Sequence, residues 1–61
     1  MNPQKESKLV RYWADNHLVV SGNLYQLFDN YTQKNIFQFT ANSTAGALNK
    51  CYRFLRYGEK V

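Results

Sequence analysis

Residues 36–40, Ile-Phe-Gln-Phe-Thr, alternate apolar and polar positions, with Phe37 and Phe39 on one side and Gln38 and Thr40 on the other. A period of two is the signature of a strand with one buried face. Val19, Val20, Tyr25, Phe28, Tyr31 and Ile36 extend this strand-forming composition back towards residue 18. Residues 29–35, Asp-Asn-Tyr-Thr-Gln-Lys-Asn, are rich in turn formers and predict a hairpin loop joining residues 24–28 to residues 36–40. Ser21-Gly22-Asn23 predicts a bulge, or a turn from a short earlier strand at residues 18–20. The two ends of the chain carry helical spacing instead. Ser7 is placed to cap a first helix through residues 8–14, where Leu9 stands three residues before Tyr12 and four before Trp13, with a stop at Asp15-Asn16.

The clearest helix is the last. Asn42, Ser43 or Thr44 caps its start, and Gly58 sits where a terminal glycine belongs. At 100° per residue Ala45, Leu48, Cys51, Tyr52 and Leu55 share one arc, predicted to pack on the core. Lys50, Arg53, Arg56 and Lys60 lie opposite, with Tyr57 among them. Gly46 inside the helix suggests a close approach by another backbone.

These elements predict an α+β fold for residues 1–61 as a single domain. It comprises an N-terminal helix, an antiparallel β-hairpin of two or three strands, and a C-terminal helix packed on the sheet. A rival is also open: Leu24, Leu27, Phe28 and Tyr31 fall at i, i+3, i+4 and i+7. That stripe, with Ser21 or Asn23 as cap, would give a three-helix, helix-turn-helix form. Few strong helix formers in residues 24–35, and the need to house Phe37 and Phe39, favour the hairpin.

Composition adds supports and exclusions. A chain of 61 residues has little area to bury, and its five Tyr, four Phe and one Trp are the means of building a core. Cys51 is the only cysteine, so no disulfide can form within the chain, and an unpaired thiol suits a reducing, cytoplasmic setting. No apolar run approaches the length of a membrane span, and residues 1–8 lack the apolar core of a signal peptide, so no membrane role is expected. His17 is the single histidine and Glu6, Asp15, Asp29 and Glu59 are dispersed. Neither a catalytic triad nor a four-ligand metal site can be assembled from these, so no cofactor and no enzymatic activity are expected.

Charge points to a partner. Eight Lys and Arg against four acids leave +4, which favours a polyanion. Half of those cations are Lys50, Arg53, Arg56 and Lys60, and Lys8 and Arg11 belong to the first predicted helix. With Tyr57, and with Lys34 on the hairpin loop, they are the candidate contacts to nucleic acid, DNA in the first instance. The alternative is an acidic protein surface, bound by a small regulator or inhibitor of the kind phages and other mobile elements encode. A homodimer is compatible with both.

The order strand, polar turn, strand, then Phe39-Thr-Ala-Asn-Ser-Thr-Ala-Gly-Ala47 into a helix resembles the sheet-plus-helix DNA-binding modules of phage integrase arm domains and plant AP2 domains. The resemblance covers residues 18–55 and implies a sheet that enters the groove with the helix behind it. The Arg-rich strands of those modules are missing here, since Lys34 is the only cation between Arg11 and Lys50. That absence shifts the expected charge contacts from the sheet to the helices.

Overall fold

A computed structural model of the chain describes residues 7–58. Its elements in order are β1 (Lys8–Tyr12), β2 (Asn16–Ser21), β3 (Leu24–Asp29), β4 (Asn35–Thr40) and α1 (Thr44–Tyr57). The strands form one antiparallel sheet in the order β1-β2-β3-β4, and α1 packs on one face of it. The fold is α+β, but two expectations are overturned.

The predicted N-terminal helix is strand β1, which makes the sheet four-stranded. Leu9 stands opposite Val19 and Tyr12 opposite His17, with a bulge between Leu9 and Arg11. A bulge inserts one extra residue on one strand. It therefore puts Leu9 and Tyr12 three apart on the same face of the sheet, and that spacing imitates a helical turn. The extra residue, Val10, packs against the core. The helix-turn-helix alternative fails for a related reason. The stripe Leu24, Leu27, Phe28 and Tyr31 is divided between the two faces of β3 and its following loop. Leu27 is fully buried beneath α1, while Phe28 pairs with His17 on the other face. A strand that is apolar on both sides satisfies helical spacing by coincidence.

Turn chemistry fixes the register. Gly22 and Asn23 link β2 to β3, and Gly22 has φ 65°, as the first central position of a two-residue II′ hairpin requires. The longer β3–β4 loop is held by Asp29, whose Oδ2 accepts from the Thr32 N–H at 2.7 Å, the Tyr31 N–H at 3.1 Å and the Thr32 hydroxyl at 3.0 Å. These bonds from Thr32 and Tyr31 favour the ionised carboxylate and hold its pKa below 3.8.

On the covered face Leu18 lies opposite Leu27, Leu27 opposite Phe37, and Tyr25 opposite Phe39. The helix uses only part of the arc predicted for it. Among Ala45, Leu48, Cys51, Tyr52 and Leu55 only Cys51 is buried; its companions in the core are Ala47 and, half-buried, Phe54 and Leu48. Phe54 decides the rotation, because its ring stacks on Phe37 with centroids 4.3 Å apart. Tyr52 and Leu55 are consequently turned outward, 44% and 41% exposed.

Two measurements test this core. Leu27→Ala, at the centre of the covered face, should lower stability by about 3 kcal/mol, read from the denaturant midpoint at unchanged slope. Burial pushes the Cys51 thiol from the ordinary 9.0 up to about 11. The unfolded chain loses that proton first, so stability should fall as pH rises from about 9 to about 11, and Cys51→Ala should remove this component of the fall.

Candidate functional site

Helix α1 begins at Ser43, whose hydroxyl accepts from the Gly46 N–H at 3.1 Å. A Cβ on Gly46 would sit 3.2 Å from that hydroxyl and near nothing else, so the glycine serves the cap rather than a neighbouring backbone. The helix ends at Gly58, φ 73°, whose N–H donates to the Phe54 carbonyl at 2.8 Å. Between these caps its polar side is divided. Lys50 leans over β4, where its Nζ donates to the Thr40 carbonyl at 3.2 Å and lies 5.4 Å from the centre of the Phe39 ring. It helps to seal the core on that flank. Arg53 and Arg56 instead line a groove with Asn49, Tyr52, Leu55 and Tyr57, and Trp13 closes its far wall. A shallower depression continues along the helix past Leu48 to Ala45. Tyr57 is 66% exposed.

Trp13 reaches the groove because the turn after β1 is pinned. Its N–H donates to the Asn16 carbonyl at 2.7 Å, and its ring meets Tyr52 edge-on at 6.1 Å. Asn30, from the next loop but one, anchors the same turn. Its Nδ2 points at the carbonyls of Trp13 (2.9 Å), Ala14 (3.1 Å) and Asn16 (3.3 Å), and its own N–H donates to the Asp15 carbonyl at 2.9 Å. Its Oδ1 faces His17 Nδ1 at 2.6 Å. With the amide hydrogens committed to carbonyls, that oxygen can only accept, so His17 carries its proton on Nδ1.

The strand cations belong to the same side of the molecule. Lys8 is opposite Val20 and Arg11 opposite Leu18, residues that belong to or pack against the core beneath the helix. Both therefore sit on the outer strand of the helix-bearing face, exposed. Lys34, on the β3–β4 loop, lines neither depression. Lys60, and Lys5 before β1, lie outside the described residues. Among the described residues, the other face of the sheet carries no Lys or Arg. It holds Leu9, Val19, Gln26 and Gln38 in one cross-strand row, and Tyr12, His17 and Phe28 in the next. In that second row the His17 ring is stacked between Tyr12 at 5.5 Å and Phe28 at 5.3 Å. A sheet entering a nucleic-acid groove would present cations there, and this one presents none.

The structure thus brings together Arg53, Arg56 and Tyr57 of the predicted set, puts Lys8 and Arg11 on the same side, and separates Lys50 and Lys34 from them. Sequence reading missed Trp13, Tyr52, Asn49 and Leu55 as groove residues. Sequence reading favours the core for Trp13 and Tyr52; Trp13 does pack against the core but is only half-buried, and Tyr52 is more open still. The surplus of apolar positions on α1, more than one face can bury, was the available signal. Among the described residues no three of His, Cys, Asp and Glu come together as metal ligands, and no helix is long and apolar enough to cross a membrane. Comparison with protein-family models, with curated proteins and with solved structures finds no match.

Asn30→Ala should cost about 1–3 kcal/mol by stranding carbonyls in the turn. It should also red-shift the emission of Trp13, the only tryptophan, as the turn loosens. An unchanged spectrum would mean that Asn30 does not hold this wall of the groove.

Proposed function

We propose that this chain is a non-enzymatic nucleic-acid-binding protein that takes an unpaired strand along the groove between α1 and the Trp13 turn. The observation that carries this reading is the grouping of Arg53 and Arg56 with Trp13, Tyr52 and Tyr57 around one depression. Guanidinium groups meet phosphates through charge and paired hydrogen bonds. Partly open aromatic rings beside them offer planes on which bases stack, a contact worth about 1–3 kcal/mol per base and tolerant of sequence. A duplex hides its base faces, so exposed rings favour the single strand. Lys8 and Arg11 on the neighbouring strand extend the positive field along the same face, and among the described residues no acidic side chain lines either depression. Their part is electrostatic attraction from the flank.

An acidic protein segment is the second reading. It is favoured by the apolar run Leu48, Tyr52 and Leu55 along the groove, which suits a partner with side chains to bury.

Fluorescence anisotropy with labelled oligo-dT, oligo-U and a duplex tests the first. Binding is expected with a Kd of about 1–100 µM near physiological salt, tightening steeply as salt falls. Single strands should bind better than duplex and quench Trp13. Arg56→Gln should weaken binding and lower the salt slope by about one. No binding at about 100 µM protein in low salt, or affinity indifferent to salt, would sink the proposal. A specific protein captured equally well after nuclease treatment would move the assignment to the second reading.

A further inference from the structure

The face of the sheet opposite the helix has no cover among the described residues. Leu9 and Tyr12 are 60% and 64% exposed there, and Val19 and Phe28 continue the apolar surface over β2 and β3, with the His17 ring stacked between Tyr12 and Phe28. Polar positions on this face are neutral: Gln26 and Gln38 meet each other at 3.4 Å, beside Asn35. Not one Lys, Arg, Asp or Glu of the strands falls on it. Lys8, Arg11 and Asp29 are on the helix-bearing side by register, Asp15 and Lys34 are in loops, and Lys50, Arg53 and Arg56 are on α1. On a chain of net charge +4, this is the surface where a like-charged body can approach without opposition.

We propose that this face packs against the same face of a second copy of the chain, giving a two-fold, sheet-on-sheet dimer. Charge favours this face for a second copy, since both copies carry +4 and none of the charged residues of the described strands lies on it. The edges of the sheet leave this face-on arrangement as the open route. β1 is blunted by its bulge and by Lys8 and Arg11. On β4 the Asn35 side chain accepts from the Phe37 N–H at 3.1 Å, and Lys50 holds the Thr40 carbonyl. Bulges, lysines and side-chain-satisfied backbone are the devices by which sheets refuse edge pairing. Strand spacings of about 4.8 Å and rises of about 3.3 Å make the face roughly 15–20 Å on a side. Two such faces would cover roughly 450–800 Å² in total, below the standard size for a specific interface and in the range of weak, transient ones. Association should therefore be modest and in the micromolar range. Salt screens the repulsion between two copies of charge +4, so association should hold or tighten as salt rises, opposite to nucleic-acid binding, and the helix grooves would remain on the outside of the pair.

Sedimentation equilibrium of the full chain from about 1 to about 500 µM tests this. Mass should rise from the 7.2 kDa monomer towards twice that value. Leu9→Lys places a charge at an already exposed position and should weaken association at least about tenfold while leaving the circular dichroism spectrum unchanged. Gln38→Lys on β4 gives the same reading should Leu9→Lys disturb the fold. Leu55→Lys, in the helix groove, should associate as the parent chain does. The proposal is overturned if the parent chain stays monomeric over the whole range. It is equally overturned if charge on the sheet face has no effect, or if Leu55→Lys is the variant that dissociates.

Discussion

One helix has to cover a four-stranded sheet, and it is too narrow to do so. A helix with its side chains is about 10 Å across, while four strands span roughly 15–20 Å. The molecule resolves the mismatch by committing the helix to the inner and far strands. Phe54 on Phe37, Ala47 and Cys51 against the sheet, and Lys50 over Phe39 and Thr40 hold it there. What remains beyond the helix is the outer strand β1, and the Trp13 turn at its end fills part of that gap by leaning on Tyr52. The groove is thus the uncovered remainder of the core face. Its aromatic walls are there because a small chain has more large apolar side chains than a single helix can bury.

The same constraint links the two ends of the sheet to the site. Asn30 belongs to the loop between β3 and β4, yet its amide serves the turn between β1 and β2. A buried-type hub of this kind replaces apolar contacts that β1, exposed on most of its length, does not make. The position of Trp13 therefore depends on a residue well removed from it in sequence and lying on neither groove wall.

How much could be read in advance follows from which pattern each element obeys. Residues 36–40 alternate cleanly because only one of their faces is buried. Helix α1 was legible from its caps, since Ser43 and Gly58 act locally and need no tertiary context. β1 was misread because the bulge at Val10 destroyed the period of two, and β3 was ambiguous because both its faces are apolar. The rotation of α1 was hidden for a different reason. Two apolar arcs compete on that helix, and the choice between them rests on a long-range stack with Phe37 that no local spacing encodes. The basic residues were recognisable as a set, but the departure of Lys50 from it depends on where β4 lies beneath the helix.

The strand order β1-β2-β3-β4 bears on how the chain finds its fold. Each strand pairs with the one just before it, across connections of a few residues, so no strand pair of the sheet needs a long crossover. The entropy of closing such short loops is small, and topologies of this kind fold fast for their β content. The helix comes last and can add itself to a sheet already zipped from one end to the other. A chain that emerges residue by residue during synthesis can thus complete each step with the segment most recently made, and has little opportunity to trap a wrong pairing.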